Sequence, residues 1–298
     1  MSRHTPTPLA GRTAVITGAG SGIGRSLARR LSAHGCPLAL VDADERTLDE
    51  TVAMLDGAAA PTLARTLDVR HGDALMALAA EVREWAPAPI GAVFNNAGVA
   101  MGSPAGSPAW EQDERVMAIN FGGVVWGVRA FLPILLEQRD GAIVNTSSIW
   151  GLQAVPRQTA YCASKFAVRG YTEALRAELA GSGVRAVTVY PSGVKTNIVR
   201  HSHVDAELLD ERTLEQRVKD FEARARVAPE RAAEVIHRGV DAGKARILIG
   251  GAAHFVDLLA RISPTHGVEV LERLQRLGRG RAAGASPQER TASAERAA

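Results

Sequence analysis

The chain has 298 residues, a length that fits one large α/β domain or two small ones. Apolar residues make up 46% of it and aromatics only 4%, so a sizeable core is available but Ala, Val and Leu must do most of the packing. The formal charge of +3 resides in residues 272–298, which hold six Arg and three Glu; elsewhere 29 basic and 29 acidic residues balance, and this excludes the basic face that nucleic-acid binding requires.

The N-terminus, MSRHTPTPLAGRTAVITG, has no apolar h-region and no cleavage site, so secretion is not expected. Cys36 and Cys162 stand in unrelated contexts without a CxxC, as in a protein of the reducing cytoplasm.

In chain order, short β-branched runs alternate with helical patterns. TAVIT (13–17) predicts a strand, followed by the Gly-rich turn TGAGSGIG (17–24) and an amphipathic helix to about His34. Glycines 18, 22 and 24 allow a tight turn and a close approach of backbone to a pyrophosphate. The helix start then offers free N–H groups and the positive end of a dipole. LALVD (38–42) is the second strand and ends on Asp42, 18 residues past Gly24. A carboxylate there can accept both adenosine ribose hydroxyls and repels a 2′-phosphate, which places NAD ahead of NADP. Arg25 and Arg46 are the side chains that would reach such a phosphate, and Asp44 suits the N-cap of the next helix, from about Glu45.

TLARTLD (62–68), a helix over 71–85 and the strand IGAVFN (90–95) follow. A helical region over about 110–138 contains the longest apolar stretch, FGGVVWGVRAFLPILL (121–136). Arg129 and Pro133 interrupt it, and it reads as a buried helix too short to span a bilayer. GAIVNTSS (141–148) is a strand, 158–181 a helix and VRAVTVY (184–190) a strand. This alternation argues an α/β fold: a single doubly wound parallel sheet with helices on both faces and right-handed crossovers.

Beyond Pro191 the pattern changes. Residues from about 195 to 227 are polar and read as a flap, with HSH (201–203) as ordinary solvated histidines; no His/Cys cluster offers a metal site. PERAAEVIHRGVDAG (229–243) opens on a helix-starting Pro, RILIG (246–250) is a last short strand, and 252–277 is amphipathic helix interrupted near Pro264. Residues 1–277 thus read as one domain and 278–298 as a disordered tail.

The chain contains 31 Arg and four Lys, and one of those four is Lys165, four residues after Tyr161 on a predicted helix. The two therefore share a helix face. A neighbouring ammonium favours the phenolate, so the expectation is a Tyr161 pKa lowered from its ordinary value near 10. A compact ammonium with three donors can also grip a ribose edge. Ser148 stands 13 residues before Tyr161, at the C-terminal end of a predicted strand, the edge where open parallel sheets bind ligands. Its hydroxyl can hydrogen-bond a substrate oxygen beside the tyrosine. Ser147 is the competing candidate, and Ser148 is favoured.

Together, TGAGSGIG, Asp68 in LDV, NNAG (95–98), Asn120 in MAIN, Ser148 in NTSS, Tyr161 with Lys165, and YPSGVKT (190–196) resemble the short-chain dehydrogenase/reductase family over residues 12 to about 250. The resemblance implies a Rossmann-type sheet of about seven strands and NAD(P)-dependent oxidation or reduction at CH–OH carbons. It also implies a homodimer or homotetramer formed through the helices at 110–138 and 158–181. By the same resemblance, Gly18, Ser21, Gly22, Ile23 and Gly24 cradle the pyrophosphate, Asp42 holds the adenosine ribose, and Asp68 with Val69 holds the adenine. Asn95, Ala97 and Gly98 line the cofactor cleft. Tyr161 is the general acid/base, Ser148 positions the reacting oxygen, Lys165 clamps the ribose, and Asn120 holds a water joining Lys165 to solvent. Pro191, Val194 and Thr196 reach the nicotinamide end. The family's usual Pro-Gly pair reads Pro191-Ser192 here, with Gly193 next as the flexible residue.

The active edge carries apolar loops: Ile149 to Pro156, including Trp150 and Val155, then VAMG (99–102), then Asn197-Ile198-Val199. Such walls fit an uncharged, lipophilic secondary alcohol or ketone. The alternatives are an NADPH-preferring ketone reductase and a nucleotide-binding regulator without turnover. A regulator has no need of the intact set Asn120, Ser148, Tyr161 and Lys165.

Overall fold

Seven strands form one parallel sheet in the order β3-β2-β1-β4-β5-β6-β7. They are β1 (Thr13–Thr17), β2 (Leu38–Asp42), β3 (Thr62–Thr66), β4 (Ile90–Asn95), β5 (Gly141–Thr146), β6 (Val184–Pro191) and β7 (Arg246–Ile249). The computed structural model describes residues 7–55, 60–100, 105–106, 110–196, 219, 223, 225–270 and 273. Most of the expected flap, with HSH and Asn197-Ile198-Val199, lies outside the described residues, as do Met101, Gly102 and the C-terminal tail.

The inner strands are apolar on successive residues because both faces of the sheet are covered: all five residues of β1 and all six of β4 are buried. Alternate side chains enter opposite layers. Ile16, Phe94 and Val189 pack with Leu27 and Leu31 of α1 (Gly22–Ser32), Leu48 of α2 (Glu45–Ala53), and Ile236 and Val240 of α7 (Pro229–Asp241). Val15, Val93 and Ile143 pack on the other face, against Leu75 and Val82 of α3 (Gly72–Trp85), Val128 and Phe131 of α5 (Gly123–Gln138), and Val168 and Leu175 of α6 (Thr159–Glu178). Asp44 caps α2 by accepting the Thr47 N–H at 3.1 Å, and Pro229 opens α7.

One feature departs from the sequence reading. The helical region from Trp110 is α4 (Trp110–Met117) joined to α5 by a π turn, Ala118–Gly122, which carries Asn120. One wide turn of this kind is a local insertion that apolar periodicity does not encode. The whole run, Trp110–Gln138, has 29 residues and contains an 18-residue window of mean hydropathy 1.6, enough by length and composition to cross a membrane. The helix is longer than the apolar stretch 121–136 because it begins at Trp110, within the helical region expected over 110–138. Half of that window is nevertheless buried inside the fold, where Val124, Val128, Phe131 and Leu135 belong to the core.

At its far end the chain folds largely as read. Val194 and Val227 form a parallel bridge that pins the two ends of the segment between them, with hydrogen bonds Lys195 N–H to Val227 C=O (2.9 Å) and Val227 N–H to Gly193 C=O (3.0 Å). The left-handed backbone this turn needs falls on Gly193, at φ +53°. α8 (Gly251–Ile262) ends before Pro264.

A polar ladder crosses the second layer. Asn95 donates to Asn145 at 2.9 Å across the β4–β5 register pair, and Asn145 donates to Thr172 of α6 at 3.0 Å. Gly127 of α5 faces it: a Cβ there would fall 2.0 Å from Asn95 Oδ1. Asn95 cannot retreat without losing Asn145. Gly127→Ala is therefore expected to cost about 1–3 kcal/mol of stability, read as a lower urea midpoint with an unchanged slope. An unchanged midpoint would mean that α5 can move off β4 freely.

Candidate active site

The site residues gather at the C-terminal ends of β1, β2, β4, β5 and β6, beside the point where the chain leaves β1 for β2 on one side and β4 lies on the other. The β1–α1 turn is built for close approach. Gly18 sits at φ +68° and a Cβ on it would fall 2.8 Å from the Ala97 Cα. On Gly24 a Cβ would fall 1.9 Å from the Gly18 carbonyl oxygen, and on Gly22, at φ +51°, 2.9 Å from the Thr196 Cγ2. Ser21 is the N-cap of α1, yet its side chain makes no capping bond and the first turn holds no acid. A backbone cradle with open N–H groups and no negative side chain fits a pyrophosphate. Ile23 packs against the core from its partly buried position.

Asp42 is anchored by two backbone donors: the Gly20 N–H on Oδ2 at 2.8 Å and the Asp44 N–H on Oδ1 at 3.1 Å. Each oxygen keeps a lone pair for a further donor. Both nearby arginines are committed elsewhere. Arg25 donates to Thr51 Oγ1 (2.9 Å), Thr47 C=O (3.1 Å), Gly20 C=O and Glu50 (3.0 Å), and Arg46 pairs with Glu50 as well. Asp68 is held by Arg70, through a backbone bond of 2.9 Å and an ion pair of 2.6 Å. Burial works against ionisation of Asp68, but the bonds and charge of Arg70 outweigh it and hold the carboxyl below its ordinary range. Val69, next to it, is buried.

Asn120, Ser148, Tyr161 and Lys165 are brought together from three elements. The Asn120 amide receives the Val99 N–H at 2.8 Å and donates to the Val99 carbonyl (3.0 Å) and to Ser164 Oγ (3.1 Å). Ser164 in turn donates to the Tyr161 carbonyl at 2.7 Å. Gly98 lies between Asn120 and Lys165: a Cβ on it would stand 3.1 Å from Asn120 Oδ1 and 3.4 Å from Lys165 Nζ. The two serines have different partners. Ser147 donates to the Lys165 carbonyl at 2.8 Å, a structural tie. Ser148 caps the short 3-10 turn Ile149–Gly151, accepting from the Trp150 N–H at 3.2 Å, and its hydroxyl meets that of Tyr161. Lys165 is 3% exposed, and its ammonium donates to the Thr146 carbonyl at 3.0 Å with Nζ 5.7 Å from the Tyr161 ring centre.

Trp150 packs with Val99, Ala100, Val116 and Tyr161. Val155 is outside that cluster; its carbonyl accepts from the Cys162 thiol at 3.8 Å. Pro191 and Val194 flank Gly193 near Thr196, and Ser192, at the position of the family's glycine, is buried with its N–H on the Ile249 carbonyl (3.1 Å).

One expectation is reversed. Burial pushes the Tyr161 hydroxyl up to about 12, with the Ser148 hydroxyl acting in the opposite direction. Burial also brings the Lys165 ammonium down to about 8. At the pH where this tyrosine ionises, Lys165 is already neutral, so no cation remains beside it to favour the phenolate.

Several contributors were not singled out by sequence. Thr17 Oγ1 accepts both the Asn96 and Ala97 N–H groups (3.0 and 3.1 Å), and Asn96 Nδ2 donates back to the Thr17 carbonyl at 3.2 Å, fastening β4's exit to β1's. Gly20 matters through its N–H on Asp42, and a Cβ there would fall 2.5 Å from Thr47 Oγ1. Its place inside TGAGSGIG is the signal that marks it.

The chain is similar to several known proteins. The family model for short chain dehydrogenases matches residues 12–207. The chain is 43% identical to the putative oxidoreductase SadH of Mycobacterium tuberculosis over 256 residues, 85% of this chain and 91% of the relative. It is 37% identical to the 2-(R)-hydroxypropyl-CoM dehydrogenase of Xanthobacter autotrophicus over 205 residues, 67% of this chain and 81% of that one. Among solved structures, a short chain dehydrogenase/reductase from Burkholderia phymatum in complex with NAD superposes with a TM-score of 0.76 at 32% identity, covering 86% of this chain and 94% of the other.

The two displaced titrations carry a stability signature. From about pH 8 to the ordinary lysine value of 10.5, the folded chain binds fewer protons at Lys165 than the unfolded chain, so stability rises with pH through that window. Between 10 and about 12 the folded chain keeps the Tyr161 proton that the unfolded chain has lost, so stability falls. Lys165→Met is expected to remove the rise between pH 8 and 10, measured as urea midpoints of the cofactor-free protein against the parent. Parallel pH profiles for the two proteins would show that the ammonium is not desolvated.

Proposed function

The chain belongs to the short-chain dehydrogenase/reductase family, nicotinamide-dependent enzymes acting on CH–OH donors, and on that premise we propose that it transfers hydride between NAD(H) and a lipophilic secondary alcohol or ketone. The observation that carries this reading is the gathering of Asn120, Ser148, Tyr161 and Lys165 around one cleft edge, with an ammonium and a phenol side by side in a buried setting. We take the residues through 277 as one catalytic domain built on the single sheet.

In the direction of reduction, the substrate carbonyl oxygen accepts hydrogen bonds from the Ser148 and Tyr161 hydroxyls. A nicotinamide held by the β1–α1 turn, Asp42 and Lys165 would supply hydride to the carbonyl carbon. Tyr161 delivers its proton to the oxygen as negative charge develops there. A hydroxyl raised to about 12 is fully protonated at neutral pH and so is ready to donate. Lys165 has three donors, of which Thr146 takes one; the others are assigned to a ribose edge and to the return of the proton. Asn120, its amide engaged by Val99 and Ser164 in the π turn, is assigned the water that joins Lys165 to solvent. Oxidation runs the same steps backwards.

The choice of NAD rests on charge. Asp42 is fixed by backbone donors at the end of β2, and Arg25 and Arg46, the two side chains able to welcome a 2′-phosphate, are tied to Glu50. The Burkholderia phymatum relative was solved with NAD. The preference for a lipophilic substrate is supported by Val99, Ala100, Val116 and Trp150 around Tyr161. The Xanthobacter relative, a dehydrogenase of a 2-hydroxypropyl compound, supports a secondary alcohol. The exposed Trp110 and Leu136 on the α4–α5 run support the homodimer or homotetramer that the family resemblance implies.

Tyr161→Phe is expected to bind NADH as the parent does and to lose at least about a hundredfold in kcat, measured by calorimetric titration and by turnover of medium-chain secondary alcohols. Undiminished turnover would remove Tyr161 from the chemistry. Asp42→Ala is expected to shift the NADH-to-NADPH affinity ratio towards NADPH by about five- to several-hundredfold, the equivalent of roughly 1–4 kcal/mol of like-charge repulsion. An unmoved ratio would place the ribose contact elsewhere.

A further inference from the structure

A groove of about 710 Å³ lies between α6, the segment that follows Ser148, and α8. None of the four candidate catalytic residues lines it. Its volume is that of a small-molecule site, roughly 300–1,000 Å³. The walls are of two kinds. Leu152, Phe166, Ala260 and Val268 supply apolar surface, while Arg169, Arg246 and Arg261 face Glu173 and Asp257.

The charges do not cancel. Arg246 grips Asp257 with both terminal nitrogens, at 2.5 and 3.3 Å, while its guanidinium lies 5.1 Å from the Tyr190 ring centre, so this pair is a fixed part of the wall. The same carboxylate also takes the Arg261 Nε at 3.2 Å. Arg169 gives its Nε to Glu173 at 3.1 Å. Three guanidiniums thus meet two carboxylates, which leaves one surplus positive charge. Arg169 and Arg261 use only Nε in these bonds, and their Nη groups bond no described residue. Two guanidinium forks with free Nη donors beside an apolar floor match a single carboxylate on an alkyl chain. A phosphate dianion would face the two wall carboxylates with only one compensating charge.

We propose that this groove binds an amphipathic monocarboxylate, its alkyl chain on Leu152, Phe166 and Val268 and its carboxylate on Arg261 and Arg169, at a site separate from the oxidoreductase cleft. The test is calorimetric titration of the full-length protein with dodecanoate, kept below its micelle-forming concentration. Arg261→Met and Arg169→Met alter partly exposed side chains, and circular dichroism checks their fold. Each is expected to weaken dodecanoate by about tenfold, as for one charge-assisted hydrogen bond. Tyr161→Phe and saturation with NADH are expected to leave the affinity unchanged. Equal affinity in the parent and both arginine variants would overturn the proposal, as would equally tight binding of dodecyltrimethylammonium, which would be apolar adsorption. If dodecanoate gives no heat and sedimentation shows a larger assembly that Arg261→Met dissociates, a second copy of the chain occupies the groove and the proposal fails.

Discussion

An ammonium buried beside a tyrosine ring is the interaction to which the rest of the site is fitted. Lys165 has lost its water, and the Thr146 carbonyl at the end of β5 gives back one hydrogen bond. That bond exists because Ser147 fastens the strand exit to the Lys165 backbone, and because Asn145 and Thr172 fasten the same strand to the same helix two turns on. Ser148 is then carried next to Tyr161 by chain connectivity alone. The positions of the two hydroxyls follow from a β5–α6 junction locked at three points, which is the kind of preorganisation that chemistry at one oxygen atom requires.

The phosphate turn and the cleft are coupled in the same manner. Thr17 ends β1 and takes the N–H groups of Asn96 and Ala97, so the exits of β1 and β4 cannot move independently. Gly18 allows Ala97 to come close, and Gly98 allows Asn120 and Lys165 to do so. The glycines of TGAGSGIG and NNAG therefore answer to each other across one gap. On the Asp42 side, Glu50 pairs with both Arg25 and Arg46, so each guanidinium already has a carboxylate partner.

Much of this was legible in the sequence because it is local. Apolar runs such as TAVIT and IGAVFN announce two-sided burial, and Tyr161 and Lys165 share a face by helical spacing. What escaped depends on partners distant in the chain. The π turn at Asn120 goes with an amide bonded in both directions to Val99, 21 residues away, and no periodicity records that. Gly127 reads as one more small residue until Asn95 is found against it. The Tyr161 shift runs opposite to the sequence expectation for the same reason: sequence places the cation near the phenol but does not reveal that both are buried, and burial is the larger effect.

The same accounting explains why position 165 is lysine in a chain that otherwise favours arginine. A Cβ on Gly98 would already stand 3.4 Å from Nζ, so the space above the ammonium is bounded by backbone. A planar guanidinium with five donors would overfill it and leave donors unbonded, at a cost greater than its extra contacts could offset. On the outward face of the same helix the choice reverses. Arg169 is half-exposed and bonded through one nitrogen, where a long fork can reach both solvent and a wall of the neighbouring groove. Residues 161, 165, 168 and 172 face the protein interior, and 166, 169 and 173 face outward. The helix thus sorts its cations by the volume each face can hold: a compact ammonium on the buried face and a long guanidinium on the outer one.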